Sequence, residues 1–498
     1  MKFNNIKDFY LYIPIIILGA YFIFRLINQS QIITTFPLDK YNDWSSYMAQ
    51  LHFLKECGFH NFCPYWYNGF INFQINQPGW YFFIYPLYLI TKNVQLTAYI
   101  SLILSLALSL IVLYINRKKL GLSKIKILAL FMFFFGNAIA VGNFVRIGKI
   151  HELFGWFNTI VVFIILIVYK DKKLDKKFLW IIPFYFLAIL SHQNTAIISS
   201  LAILGLILTK NFREKIIIFL SILITVITTS FWWIDYIKNF FNTTSTTILV
   251  SNSLKEITKA TLNDNLTSIL VPIAFLIISY FYIKSSKNKK KEINFLLPQI
   301  VIAMLLLTRL ILFIPIVNHV YPDSYNLFLL FFAVIMLFKI EFETIKKYKH
   351  VIFYGLIAIS ILSVMLNIIN TPNFIKHTPI EEETISLLNN VDHKFIILAT
   401  YSRRTSYPNA FYSYASIYHN LSTSAGWYPS MKNSAYINKL ENLDNLINDK
   451  NCTSLKNELM ELGAFEVITY DENCKFLKEC GFINKESKTH ACLYYLEK

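Results

Sequence analysis

The strongest constraint on this chain of 498 residues is the repeated return of long apolar runs. Runs of about 17–25 residues, each able to cross roughly 30 Å of hydrocarbon as a helix, recur up to Asn370. Eleven spans are predicted: 9–28, 95–115, 125–142, 153–169, 178–190, 195–209, 216–234, 268–284, 294–317, 325–340 and 350–369. The segment 79–92, GWYFFIYPLYLITK, is shorter, aromatic and interrupted by Pro86. Aromatic segments favour the headgroup level, so this one is expected to be an interfacial helix. The first apolar run follows a basic start, as a signal peptide would. Its apolar core is longer than a signal's, and no small-residue cleavage site follows, so a retained first helix is expected.

The formal net charge is +17, and its placement matters more than its size. Lys and Arg gather in short blocks between spans, such as Arg117, Lys118, Lys119, Lys124 and Lys126, or Lys284, Lys287, Lys289, Lys290 and Lys291. That is the pattern of cytoplasmic loops. A nucleic-acid surface needs one contiguous basic face, so no nucleic-acid partner is expected. With a cytoplasmic N-terminus and eleven crossings, the blocks at 117–126, 170–177, 210–215, 284–291 and 339–349 fall inside. The intervals 29–94, 143–152, 191–194, 235–267 and 318–324 fall outside with few basic residues. Counting 79–92 as a crossing would reverse the later blocks. The expectation is a multi-pass protein of the cell membrane with its C-terminal part extracytoplasmic.

Two domains are predicted: a transmembrane domain over 1–370, with a first outer loop at 29–94, and a small α/β domain over 371–498. The latter is polar, with strand-like runs KFIILAT, FEVITYD and ACLYYLE, and helix-like stretches around 381–390, 433–447 and 453–462. The six cysteines, Cys57, Cys63, Cys452, Cys474, Cys480 and Cys492, all fall on the expected outer side. That suggests disulfides. Cys57–Cys63 would close a small loop, and the other four leave three pairings open. Asn-X-Ser/Thr triplets begin at Asn242, Asn265, Asn420 and Asn451.

Asp39, Asp43, His52, Arg146, Lys149, His151, Glu152, His192, Gln193, His319 and Asp323 all map to outer loops or outer helix ends. The inner loops carry lysine and little else. Carboxylates, imidazoles and an arginine on one face, roofed by aromatics, suit an interfacial site for a substrate with a charged headgroup. Asp43 and Asp39, four residues apart, could act as general base or hold a divalent cation. The competing reading of Asp43 is a helix N-cap, since NDWSSYMAQLHFLKE reads as a helix start. For Asp39 it is a solvated turn. Arg146, Lys149 and His151 could bind a phosphate, for which Arg offers a fork, or simply anchor lipid headgroups. His192 ends a span and could be structural. Arg309 lies inside a span end, where a charge is costly enough to suggest function, unless it snorkels outward. No HxxH, HExxH, P-loop or GxGxxG spacing occurs.

The layout resembles the GT-C class of membrane glycosyltransferases. It resembles more closely a group of microbial multi-pass proteins labelled 6-pyruvoyl-tetrahydropterin synthase-related. The matching pieces are NDWSSYMAQLHFLKECGFHNFCPYWYNGF, ILSHQNTA, SFWWIDYI, GWYPS and LMELGAFEVITYD. The pterin label itself finds no three-histidine zinc site here. The resemblance implies a GT-C-like fold and a polyprenyl-phosphate sugar donor. It implies a catalytic acid in the first outer loop, at Asp43 first and Asp39 second. An arginine expected near the tenth span is replaced by Tyr325 and Asn326, and Trp232 and Trp233 read as interfacial aromatics.

The expected function is therefore transfer of a sugar from a lipid-linked donor to a glycan, lipid or protein acceptor at the outer membrane face. Asp43 would act as general base or metal-associated carboxylate. Arg146, Lys149, His151, His192 and Arg309 would face the donor phosphate. No cofactor is certain, and Mg or Mn at Asp43 is compatible. The alternatives are a flippase of lipid-linked glycans or a non-catalytic membrane scaffold.

Overall fold

The computed structural model describes residues 10–240, 262–315, 317–340, 348–398 and 408–497. Among these, seven helices are long and apolar enough to cross a membrane: Tyr12–Ile33, Val94–Ile115, Ile150–Tyr169, Thr267–Ser285, Lys289–Thr308, Pro322–Lys339 and His350–Asn370. Two bent pairs raise the number to nine if each is one span: Lys124–Phe135 with Ala138–Ile147, bent by 53°, and Phe212–Thr228 with Ser230–Asn239, bent by 69°.

The first bend has a local cause. Asn137 accepts hydrogen bonds from the amides of Ile139 at 2.9 Å and Ala140 at 3.1 Å, capping a new helix start in the middle of the apolar run. Gly136 precedes it, and a Cβ there would lie 2.8 Å from the Met132 carbonyl oxygen.

Several expected spans come out shorter. The regions 178–190 and 195–209 form helices Ile181–Ser191 and Gln193–Thr209, of 11 and 17 residues. At 1.5 Å per residue these reach about 16 and 25 Å, short of the roughly 30 Å of hydrocarbon. They meet at His192, whose backbone is extended. The region 294–317 stops as a helix at Thr308, because Arg309 takes a left-handed conformation with φ 61°. The segment 79–92 is the helix Gly79–Thr91, whose 13 residues reach only about 20 Å.

Burial separates the centre of the bundle from its rim. The helix Ile150–Tyr169 is 89% buried and His350–Asn370 only 11%. An apolar helix buried all round belongs in the middle, while one that leaves apolar residues bare faces lipid. At one end of the central helix Lys170 pairs with Glu292 at 2.5 Å. At the other end lies the loop that follows the first long helix, whose own helix Trp44–Glu56 is buried along most of its length. A two-stranded ribbon, Phe62–Cys63 with Phe70–Ile71, follows it.

From Pro379 onward helices surround a four-stranded sheet in the order Phe395–Ile397, Glu466–Tyr470, Ala491–Tyr495, Ile483–Ser487. The first pairing is parallel and the other two antiparallel. Ile483–Ser487 is a mostly exposed edge strand of polar sequence. Main-chain hydrogen bonds tie this region to the loop that carries Trp44–Glu56. The Thr423 amide donates to the Tyr65 carbonyl at 2.7 Å, and that of Asn68 to the Thr423 carbonyl at 3.1 Å. Gly426 lies so close to Trp66 and Tyr67 that a Cβ would stand 2.7 to 2.9 Å from their atoms. Three disulfides are present: Cys57–Cys63, as the sequence suggests, then Cys452–Cys480 and Cys474–Cys492.

Candidate active site

The turn before helix Trp44–Glu56 sets the position of Asp43. Asn42, not Asp43, caps the helix: its Oδ1 accepts from the Ser45 amide at 3.1 Å and the Ser45 hydroxyl at 2.8 Å. Asp43 occupies the N-cap position, but its side chain makes no capping bond. Its main chain is held instead, the amide donating to the Ile147 carbonyl at 2.6 Å. The Asp43 carboxylate makes no side-chain cap bond, and only burial and neighbouring charges act on it among the described residues. It is half-buried, and burial pushes its pKa up to about 6, with Lys149 opposing that rise and Glu152 adding to it.

The segment facing it owes its shape to Gly148. Ala138–Ala140 passes into a wider π-helical turn over Val141–Ile147, a form that recurs at functional sites. Gly148 ends it with φ 88°, and a Cβ there would fall 2.2 Å from the Trp44 indole nitrogen. Trp44 Nε1 in turn donates to the carbonyls of Val145 and Arg146, both at 3.3 Å. The left-handed backbone and the closeness of Trp44 each require glycine here.

Lys149 follows directly. Its ammonium lies 4.7 Å from the Tyr321 ring centre. Burial alone would lower its pKa, but Glu152, Asp43 and Asp323 outweigh that and hold it raised, so Lys149 is a cation. Glu152 accepts from the Ser324 hydroxyl at 2.6 Å and from the side-chain NH₂ of Asn194 at 3.3 Å. The imidazoles of His151 and His192 lie 4.8 Å apart, and His151 packs on the Tyr47 ring at 4.3 Å. His192 accepts from the Asn194 amide at 3.1 Å; burial, with Lys149 nearby, pushes its pKa down despite Glu152.

The structure thus brings Asp43, Lys149, His151 and His192 together, with Glu152. It gives Asp39 and Arg146 a different setting from the one expected. They pair with each other at 2.8 Å, with side chains 2% and 1% exposed. Arg146 also donates to the carbonyls of Pro372, Asn373 and Tyr41, at 3.0, 3.2 and 3.2 Å. So Asp39 is no solvated turn residue, and the Arg146 fork is turned onto protein oxygens. Arg309 donates to the Ser268 hydroxyl at 3.0 Å. The side chain of His319 and the residue Asn242 lie outside the described residues.

Sequence reasoning missed two contributors. Tyr47 lies one helical turn after Asp43, and NDWSSY does not by itself mark it. Tyr428, in GWYPS, reaches across from the C-terminal region: its hydroxyl lies 3.0 Å from Ser46 Oγ, which donates to the Asp43 carbonyl at 2.8 Å. Burial raises the pKa of both phenols, so each is neutral. Trp80 Nε1, the Tyr81 hydroxyl and His151 Nδ1 are buried without hydrogen-bond partners among the described residues. Such atoms are costly unless something meets them.

Among the described residues, no three His, Cys, Asp or Glu side chains gather as a metal site. Asp43, Glu152 and Asp323 instead all act on the Lys149 ammonium. This donor set does not fit a divalent ion held by protein ligands.

The chain matches no known protein-family model and no curated protein sequence. Its fold is shared with solved membrane glycosyltransferases of the GT-C type. The archaeal oligosaccharyltransferase AglB from Archaeoglobus fulgidus, solved with an inhibitory peptide and a dolichol-phosphate, aligns over 91% of this chain and 69% of its own, with 10% identity and a TM-score of 0.51. The A. fulgidus oligosaccharyltransferase in complex with Zn and sulfate aligns over 90% and 68%, with 9% identity and a TM-score of 0.54. The arabinofuranosyltransferase AftD from Mycobacteria aligns over 97% of this chain but only 40% of its own, with 12% identity and a TM-score of 0.58. At such identities the likeness is one of fold.

Proposed function

We propose that this protein is an integral membrane glycosyltransferase that moves a sugar from a polyprenyl-phosphate donor to an acceptor hydroxyl at the outer membrane face. The observation that carries the reading is the Asp43 carboxylate, left uncapped because Asn42 takes the cap, half-buried, and under the influence of the Lys149 ammonium. The GT-C-type fold, and neighbours named for oligosaccharide and arabinofuranose transfer, support it.

In this reading Asp43 takes the proton of the acceptor hydroxyl. The freed oxygen attacks the anomeric carbon, and the bond from that carbon to the phosphate oxygen breaks. The lipid phosphate leaves with the electron pair. Lys149, fixed as a cation, stabilises its charge; preorganised charge of this kind is usually the largest catalytic contribution. His151 and His192 would face the donor, and we assign Arg309, whose guanidinium bonds Ser268, to the donor phosphate as well. Asp39 and Arg146 act as a pin: they join the outer loop to the Pro372–Asn373 main chain, which keeps Asp43 in place. No three protein ligands gather for a metal among the described residues, and no step here runs through one.

We place the chain in the group labelled 6-pyruvoyl-tetrahydropterin synthase-related, with a transmembrane domain over 1–370 and an extracytoplasmic α/β domain over 371–498. We further propose eleven crossings and a cytoplasmic N-terminus. The two short helices flanking His192 count as a pair, so parity holds whether or not they cross fully.

Purified protein in proteoliposomes, given a polyprenyl-phosphate-linked radiolabelled sugar and mixed acceptors, tests the reading. Covalent transfer is expected. Movement of the donor across the vesicle wall without transfer would instead identify a flippase.

A further inference from the structure

We propose that the cleft between the first outer loop and the C-terminal region binds the terminal sugar of a glycan acceptor. This rests on the glycosyltransferase reading above and names its acceptor class. The cleft encloses about 190 Å³ and is lined by Phe70 and Gln74 from the loop, Asn239, and Ser430, Lys432 and Asn433 from the segment after Tyr428. Its position ties it to the site. Tyr428 bonds Ser46, and Ser46 bonds the Asp43 main chain. Ser430 is two residues beyond Tyr428, so one side of the cleft is built from the same segment that reaches Ser46.

The lining selects the ligand chemistry. Five of its nine residues are polar: Gln74, Asn239, Ser430, Lys432 and Asn433. Asn239 uses its amide N–H on the Asp235 carbonyl at 2.7 Å, which leaves its oxygen to accept. Asn433 uses its oxygen to cap the next helix through the Tyr436 amide at 2.9 Å, which leaves its NH₂ to donate. Gln74 adds both functions and Ser430 a hydroxyl. Sugar hydroxyls each donate and accept, and adjacent pairs match this alternation. The buried Phe70 ring supplies an apolar wall for sugar C–H groups. A lipid tail would need an apolar lining, and a peptide added as a strand would use main-chain groups. The volume is below the roughly 300–1,000 Å³ of sites that enclose a drug-sized ligand, so it suits the end of a chain.

The test uses the full-length protein in detergent on three sets of immobilised probes: gluco-, manno-, galacto- and N-acetylhexosamine oligosaccharides, peptides containing Asn, Ser and Thr, and phosphatidylglycerol vesicles. Saturable binding to at least one oligosaccharide is expected, weakened tenfold or more in Gln74→Leu and in Asn433→Asp. The second substitution keeps the helix cap and removes the donor, and gel filtration confirms that both variants fold. Binding only to peptides or vesicles, binding to none of the probes, or oligosaccharide binding indifferent to both substitutions would each overturn the inference. The two readings fail separately. Cleft-dependent glycan binding without sugar transfer leaves the subsite and removes the enzyme. Transfer to peptide or lipid that ignores the cleft substitutions removes the subsite alone.

Discussion

The pKa of Asp43 has a stability consequence that is independent of substrate. Its carboxyl stands at about 6 against an ordinary 3.8. That gap of about 2 units corresponds to ~3 kcal/mol, and solvent screening of a half-buried group trims it to roughly 1–3 kcal/mol. The folded-state pKa is raised, so the native protein binds more protons than the unfolded chain between about pH 4 and 6. Wild-type stability therefore falls as pH rises through that window and levels off above it. Asp43→Asn has no proton to lose. It should match the wild type near pH 4 and exceed it by roughly 1–3 kcal/mol at pH 7.5. The thermal midpoints of detergent-solubilised wild type and Asp43→Asn, followed across pH 4–8, measure this directly. A variant less stable than wild type at pH 7.5, or a difference that does not change with pH, would refute the argument. It would mean that the carboxylate is a solvated or capping residue after all.

Four further outcomes are expected. Sugar transfer by the wild type should drop about tenfold per pH unit below a break near 6, because Asp43 must be ionised; a flat profile down to pH 4.5 would exclude it as base. Removing a neighbouring charge should move that break, upward in Lys149→Met and downward in Glu152→Gln, since these charges act on Asp43 in opposite senses; measured profiles shifting the other way would contradict the placement. Arg146→Ala should cost about 3–5 kcal/mol by leaving Asp39 as an uncompensated buried charge, with Asp39→Asn in the same background recovering part of it in thermal unfolding. Gly148→Ala, which sets a Cβ against Trp44 on a left-handed backbone, should lower the yield of folded protein and alter tryptophan fluorescence, whereas Gly355→Ala, which meets nothing within 4 Å, should leave both unchanged.

Much of the membrane part is readable because apolar length is a one-dimensional property. The run 95–115 appears as Val94–Ile115 and 153–169 as Ile150–Tyr169. Length fails where a chain breaks inside an apolar run. Asn137's cap and the left-handed Arg309 interrupt stretches whose hydropathy continues unchanged. In the C-terminal region, strands fall within the apolar runs KFIILAT, FEVITYD and ACLYYLE. The strand Ile483–Ser487 does not, because an exposed edge strand needs no apolar face.

The site was legible as a set of residue types and not as a set of partners. The resemblance ranks Asp43 ahead of Asp39, but residue type alone gives no physical reason for that order. Only the fold shows that Arg146 neutralises Asp39, while Asn42's neighbouring cap frees Asp43. Tyr428 lies 382 residues from Ser46 along the chain, and no periodicity links them.

The account rests on the Asp43 carboxylate meeting a lipid-linked sugar. The most direct test is release of radiolabelled sugar from a polyprenyl phosphate by wild type and Asp43→Asn, reconstituted at equal, folded amounts. Transfer by the wild type and a loss of a hundredfold or more in the variant is the predicted result. Equal transfer by both proteins would contradict it.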